Sequence, residues 1–184
     1  AVTYHYDSFQ NTNPMTTTLF CDALGRVIQT KKDIEINGTE YSSVSGRANY
    51  DTYGRVTSQY YPVTETIPAN SQNPDQRPQP TFNTALDNVN PTVYTYDVLD
   101  RQTRVTLPDG SVTQMTYGFG HDGSYYRFYT TTIDANNKRV YTYTDPRGLQ
   151  IRVRTSVGSS AVNTYFQYNA MGELLESIDP DGLK

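Results

Sequence analysis

The sequence has no tryptophan and a single cysteine, Cys21, so an intrachain disulfide is excluded and the redox compartment stays open. Hydrophobic residues make up only 35% of it, and the mean hydropathy is −0.68. No apolar run approaches the ~18 residues that a membrane span needs. The first residues also lack the basic and apolar segments of a signal peptide. We therefore expect no membrane span.

Positive charge is also scarce. Fifteen Lys and Arg residues stand against nineteen Asp and Glu residues, which gives a formal net charge of −4 and a pI near 5.1. Nucleic-acid-binding proteins carry a basic surface that neutralises phosphates, and the pair Lys31-Lys32 is too short to provide one. Nucleic acid is therefore not an expected partner.

Tyrosine, glycine and proline are abundant, with 17, 12 and 10 copies. Each tyrosine ring buries on the order of 150–250 Å² and keeps a polar hydroxyl, which offsets the shortage of aliphatic residues. A compact chain of 184 residues buries about 70% of its unfolded surface, so stability requires neither a metal nor a disulfide. No residue pattern predicts a cofactor.

A short turn motif recurs along the chain. An aromatic or small residue precedes Asp or Asn, and Gly or Asp follows three positions later; the copies are CDALG (21–25), YDTYG (50–54), YDVLD (96–100), TDPRG (144–148) and YNAMG (168–172), with a degenerate YDSFQ at 6–10. The Asp or Asn side chain bonds backbone N–H groups two residues on, and Gly accepts a positive φ. The predicted turn residues are Asp22, Gly25, Asp51, Gly54, Asp97, Asp100, Asp145, Gly148, Asn169 and Gly172.

Strand-like segments flank each turn. Examples are TVYTY (92–96) before a turn and RVTSQYY (55–61) after one, and Pro62, Pro108 and Pro180 end three of the outgoing strands. No stretch shows a convincing 3.6-residue apolar period. We predict an all-β fold with almost no helix, in which tandem hairpins form one extended, curved or spiralling antiparallel sheet.

The predicted domain organisation is a single repeat region over 1–184, expected to be part of a larger protein. Residues 62–92 hold six of the ten prolines and are predicted to be an inserted surface loop. Residues 111–138 are predicted to add an extra hairpin between two repeat turns.

The segments YDTYGRV (50–56), YTYDVLDRQTRVTLPDG (94–110) and CDALGRVIQTKKD (21–33) resemble the YD repeats of the Rhs family, which also occur in the shell proteins of insecticidal toxin complexes and in teneurins. The resemblance implies a β-sheet strip that spirals into a hollow shell, which in bacterial relatives encloses a C-terminal toxin. It implies a non-enzymatic, structural role in a secreted or cell-surface protein. The implied partners are neighbouring repeats and an enclosed cargo or toxin domain. The self-cleaving core of some relatives is missing, so Asp179 and Asp181 receive no protease role.

The sequence favours neither a catalytic site nor a metal site. Cys21 could pair with His5 or His121 as nucleophile and base, but it occupies the slot of Tyr50 and Tyr96, which favours a small buried residue. The segments LPDG (107–110) and DPDG (179–182) lack the full spacing of a calcium loop. The carboxylates that a glycosidase site could use, whose positions sequence cannot fix, are Asp97, Asp109, Glu173 and Glu176.

Two residue classes leave a choice between binding and structure. Arg26, Arg55 and Arg101 follow the turns and either form an anion-binding row or, as we prefer, pair with the turn carboxylates. Exposed tyrosines could stack on sugar rings, and the candidates for glycan contact are Tyr60, Tyr61, Tyr125, Tyr126 and Tyr129. A cross-strand aromatic ladder is the preferred interpretation, and a carbohydrate-binding surface module is the alternative function.

Overall fold

The computed structural model describes residues 2–5, 15–67, 81–84, 90–123, 125–158 and 160–181. Within them it contains fifteen strands and no helix, which confirms the all-β prediction. The strands are β1 (Val2–His5), β2 (Met15–Cys21), β3 (Val27–Ile36), β4 (Thr39–Ser45), β5 (Ala48–Tyr50), β6 (Val56–Gln59), β7 (Val63–Thr66), β8 (Thr92–Tyr96), β9 (Gln102–Thr106), β10 (Val112–His121), β11 (Tyr126–Ile133), β12 (Arg139–Thr144), β13 (Gln150–Val157), β14 (Ser160–Tyr168) and β15 (Leu174–Ile178). The degenerate motif at 6–10 lies outside the described residues.

Contacts divide the chain into two compact units. Unit 1 comprises Ala1–Val93 with Leu107–Asp109, and unit 2 comprises Tyr94–Thr106 with Gly110–Lys184. The repeat motifs occur in both units, and the prediction of a single repeat region stays a prediction. None of the described residues belongs to a helix that could cross a membrane.

Unit 1 contains two sets of antiparallel strands. One is a five-stranded sheet in the order β1-β2-β3-β4-β7, and the other pairs the β5–β6 hairpin with the start of β8. The sequence predicted one sheet, and here the strands separate into two. Gly46, directly after β4, has a φ of 65°, which interrupts the extended chain, and β7 takes the edge position beside β4.

The interior of unit 1 is largely polar. Val44 and Gln29 have no exposed surface, and Lys31 and Thr18 are 7% and 5% exposed. The interval 62–92, predicted as a loop, contributes strand β7 and a segment at 81–84 that contacts the five-stranded sheet. Residues 68–80 and 85–89 of that interval lie outside the described part of the chain.

Unit 2 is a meander in which β8 to β15 lie side by side in chain order. Its longest hairpin joins β10 to β11, with Gln114 opposite Ile133 at one end and His121 opposite Tyr126 at the other. These strands fall in the interval 111–138. Among the described residues of unit 2, Tyr143 is the buried hydrophobic side chain, and every described strand of the unit belongs to this one sheet.

The prediction of a buried Cys21 is wrong, because the thiol is exposed. Cys21 ends β2 at a register shift, where Phe20 lies opposite Gln29 and Cys21 lies opposite Val27. The same register shift occurs at Tyr50 and Tyr168, which are only half-buried, so the slot lies beside the turn and equivalence with it did not imply burial.

Candidate functional site

Within the described residues, six turns share one backbone arrangement. In each, the first residue donates its N–H to the carbonyl four positions on and accepts from the N–H three positions on, with N···O distances between 2.9 and 3.2 Å. The residue at the fourth position has a φ between 60° and 88°. The six turns span 22–26, 51–55, 97–101, 134–138, 145–149 and 169–173.

The first side chain of each turn holds the backbone in place. One Oδ1 oxygen accepts from the N–H groups two and four residues later, as Asp51 does from Tyr53 and Arg55, both at 2.9 Å. The same pair of bonds recurs in the other five turns at 2.8–3.0 Å. A short polar side chain that accepts twice therefore fixes the turn.

The second carboxylate oxygen binds an arginine. Arg26, Arg55 and Arg101 each place Nε 2.7 Å from Oδ2 of the aspartate four residues earlier. Desolvation opposes ionisation of Asp22 and Asp97, but hydrogen bonds from the arginine side chain and from two backbone N–H groups outweigh it and lower the pKa of both carboxyls. These guanidinium groups are therefore engaged within their own turns.

Three turns vary this chemistry. In 145–149 the arginine moves to the third position, and Arg147 Nε still lies 2.8 Å from Asp145 Oδ2. In 169–173 the direction of the hydrogen bond is reversed, because the neutral amide of Asn169 donates from Nδ2 to Glu173 Oε2 at 2.6 Å. In 134–138, Asn137 replaces the glycine at a φ of 60°. Sequence comparison missed this last turn as a repeat because both glycine and arginine are absent.

Neighbouring turns also contact each other. The Arg26 guanidinium lies 4.2 Å from the ring centroid of Tyr50, and its Nη1 atom would lie 3.3 Å from a Cβ added at Gly54. In unit 2, Arg147 Nη1 donates to the carbonyl of Asn169 at 3.0 Å. One arginine thus stabilises its own turn and packs against the next repeat.

The register gives the sheet of unit 2 two different faces, since directly opposed residues project to the same side. We define the arginine face by Arg127, Arg139, Arg152 and Arg154 with Tyr129, Tyr141, Tyr143 and Tyr165. The uncharged face carries Phe119, Tyr126, Phe128, Thr130, Thr142, Thr144, Val153 and Thr164. From β10 to β14, no described strand residue on the uncharged face is Asp, Glu, Lys or Arg.

The arginine face is a packed ladder of rings and guanidinium groups. Arg152 lies 5.3 Å from the ring of Tyr143 and 5.5 Å from that of Tyr165. The ring of Tyr129 lies 5.8 Å from that of Tyr143, and a Cβ added at Gly118 would meet it at 2.5 Å. Tyr129, a candidate for glycan contact, therefore packs over the backbone of β10 and stabilises the sheet.

The other candidate tyrosines lie in three places. Tyr60 is half-buried under Arg47, and the exposed Tyr61 lines a cleft with Leu107 and Pro108. Tyr126 lies on the uncharged face, where its ring stacks on Phe119 at 5.8 Å, and Tyr125 lies in the adjacent turn. The structure therefore does not assemble the five candidates into one site.

The residues considered for catalysis and metal binding have local partners. His121 is exposed at the end of β10, where Nδ1 accepts from the Gly123 N–H at 3.2 Å. Asp179 Oδ1 accepts from the Asp181 N–H at 3.0 Å, which is turn chemistry. Across the described ranges, no group of three His, Cys, Asp or Glu side chains could hold a metal ion.

Repeated Asp-centred turns joined by antiparallel strands define the class, an all-β repeat strip. No family model matches the sequence, and a search of curated proteins finds no match. Solved structures do match: the chain aligns with the Photorhabdus luminescens Tc holotoxin pore, and with the TcdB2–TccC3 complex, at a TM-score of 0.68 and 18% identity over 97% of this chain and 10% of each matched chain. TcdB2–TccC3 without its hypervariable C-terminal region aligns at a TM-score of 0.64 and 18% identity over 96% and 9%.

The chain therefore spans about a tenth of the length of these toxin-complex chains. With 18% sequence identity, the structural similarity establishes the fold alone. The resemblance to Rhs-type YD repeats is confirmed as a similarity of fold.

Proposed function

We propose that this chain is a structural segment of a larger Rhs-type protein, where it forms part of the wall of a shell. The observation that supports this most strongly is the sheet of unit 2, which contains every described strand of that unit and has two chemically different faces. A sheet in a globular domain buries one face against a second layer. A wall instead exposes both faces, one to a cavity and one to solvent.

In this proposal the chain's partners are the neighbouring repeats of the parent protein and a cargo or toxin domain inside the shell. The parent protein is secreted or displayed at the cell surface, and the segment performs no catalysis. The likeness to parts of toxin complexes supports this role.

Electron cryo-microscopy of the longer protein tests the proposal. We expect density for β8 to β15 as a single layer, with bulk solvent on one side and an enclosed space on the other. A second sheet or a helical layer packed against either face would contradict the proposal.

A second candidate function is carbohydrate binding on the uncharged face. The ring centroid of Phe119 lies 5.8 Å from that of Tyr126 and 5.0 Å from that of Phe128. All three side chains are 59–67% exposed. The strand residues beside them on this face are uncharged, which suits a neutral ligand whose C–H surfaces stack on rings.

Titration of the intrinsic tyrosine fluorescence with a glycan panel, heparin included, tests this candidate. Saturable quenching that is lost in a Phe119→Ala/Tyr126→Ala chain and kept in a Tyr53→Ala chain would support it. Tyr53 is 80% exposed in a turn of unit 1, so its replacement is a matched control. A flat response across the panel would rule the candidate out.

A further inference from the structure

A short segment of the interval between β7 and β8 is bound to the five-stranded sheet of unit 1. The side chain of Gln29 donates from Nε2 to the carbonyl of Asn83 at 3.1 Å and accepts at Oε1 from the Asn83 N–H at 2.9 Å. One amide side chain therefore satisfies both backbone groups of one residue, as a neighbouring strand would. Gln29 has no exposed surface, so these bonds are shielded from water.

The side chains of the segment are also recognised. Asn83 Nδ2 donates to Glu65 Oε1, and Glu65 Oε2 binds Lys31 Nζ at 2.5 Å. Lys31 is only 7% exposed, and lysine is rarely buried unless it is paired. The ring of Phe82 meets that of Phe20 edge to face, with centroids 5.6 Å apart.

These four sheet residues do not belong to the repeated turns. Phe20 lies on β2, Gln29 and Lys31 on β3, and Glu65 on β7. Phe20 is opposite Gln29 in the register, and Lys31 follows Gln29 by two positions, so all three project to one face. Gln29 and Asn83 are 54 residues apart in the sequence. The side chains that join them are therefore not needed to form the turns.

We propose that Phe20, Gln29, Lys31 and Glu65 form a peptide-docking site for an extended segment in which an aromatic residue precedes asparagine. In this chain the ligand is its own Phe82–Asn83. Gln29 hydrogen-bonds the backbone of the segment, Phe20 packs against its aromatic ring, and Glu65 accepts a hydrogen bond from its asparagine amide. Lys31 holds the Glu65 carboxylate as an acceptor, so aspartate at the second position is rejected by charge. A separate peptide of the same pattern competes for the site.

Hydrogen exchange of the Asn83 backbone amide in the whole chain, measured by NMR, is the first test. We expect protection in the native chain and about a fivefold loss of it in Gln29→Glu, which keeps the shape but replaces the donor, since one hydrogen bond contributes about 1 kcal/mol. Gln114→Glu, an exposed glutamine of β10, is the control. Amides of β3 report whether the variant folds. If Gln29→Glu does not fold, Asn83→Asp tests the same site from the segment side and is expected to lose protection equally.

The second test asks whether the site binds in trans. In a Phe82→Ala/Asn83→Ala chain, the capped tetrapeptide Thr-Phe-Asn-Thr is expected to shift the Gln29 side-chain amide resonance saturably at millimolar concentration. Thr-Phe-Asp-Thr is expected not to shift it. An Asn83 amide that exchanges at the rate of an unfolded peptide in the native chain would overturn the proposal, and so would equal responses to the two peptides. Neither result would affect the wall proposal, which rests on unit 2.

Discussion

At the scale of the residue, each repeated turn is stabilised by side-chain hydrogen bonds to its own backbone. One carboxylate or amide oxygen accepts two backbone N–H groups, and the other atom of the same group pairs with a side chain of the turn. The pairing is an Asp–Arg ion pair in some turns and, in the turn at 169–173, a hydrogen bond from the neutral Asn169 amide to the Glu173 carboxylate. The backbone geometry is therefore the constant feature, and the side-chain pair that accompanies it varies.

The ionised turn carboxylates predict an acid-dependent stability. The pKa values of Asp22, Asp51, Asp97 and Asp145 are lowered from the usual 3.8 in the folded state. Because the folded pKa is the lower one, their contribution is fully present above the unfolded pKa and is lost as the pH falls through the folded pKa. We expect the free energy of unfolding, measured by urea titration, to decrease as the pH is lowered below about 4.

Asp51→Asn is the matched variant for that prediction, because it keeps the Oδ1 acceptor and removes one titrating group. Its acid-induced loss of stability should be smaller than that of the native chain. An identical pH profile in the two chains would mean that the Asp51–Arg55 pair contributes no pH dependence.

At the scale of the element, the β10–β11 hairpin depends on a ring lying over glycine. Tyr129 is directly opposite Gly118, and a Cβ built there would lie 2.5 Å from the ring. Glycine in a strand weakens it through entropy and missing side-chain contacts, and an aromatic ring from the neighbouring strand restores those contacts.

A double-mutant cycle tests this packing. Gly118→Val should reduce the free energy of unfolding by about 1–3 kcal/mol, because the added atoms displace the Tyr129 ring. In a Tyr129→Ala background the same change should cost at least about 0.5 kcal/mol less, since the space is then open. Additive effects in chemical denaturation would show that the two residues do not contact each other.

Sequence was informative where the determining contacts are local. The turn at 51–55 follows from five consecutive residues, so its aspartate and glycine could be named without a structure. The turn at 134–138 escaped comparison because Asn137 and Lys138 replace the diagnostic residues. The exposed Cys21 was mispredicted because its slot was taken to be buried, whereas Tyr50 and Tyr96 in the same slot are only half-buried. The docking of Phe82–Asn83 depends on contacts with distant strands, and no local pattern encodes it.

At the scale of the molecule, the two units differ in how they are stabilised and in the surfaces that they present. Unit 1 has a polar interior that binds a segment of its own chain, and unit 2 is a single sheet with an arginine face and an uncharged face. Little in either resembles a conventional apolar core, since Val44 and Tyr143 are the buried hydrophobic side chains among the described residues. Contacts between tyrosine rings and arginines, together with the hydrogen bonds of the turns, provide part of the stabilisation that such a core would give.

The most direct test of the central claim, that unit 2 is a wall with one sheltered face, is cysteine labelling of the longer protein. Thr116 and Phe119 lie on the same strand, are both exposed, and project to the arginine face and the uncharged face respectively. In a Cys21→Ser background, Thr116→Cys and Phe119→Cys are each treated with a bulky maleimide. The account predicts that both react in the isolated chain and that only one reacts in the intact parent. Equal reactivity of both positions in the parent would contradict it.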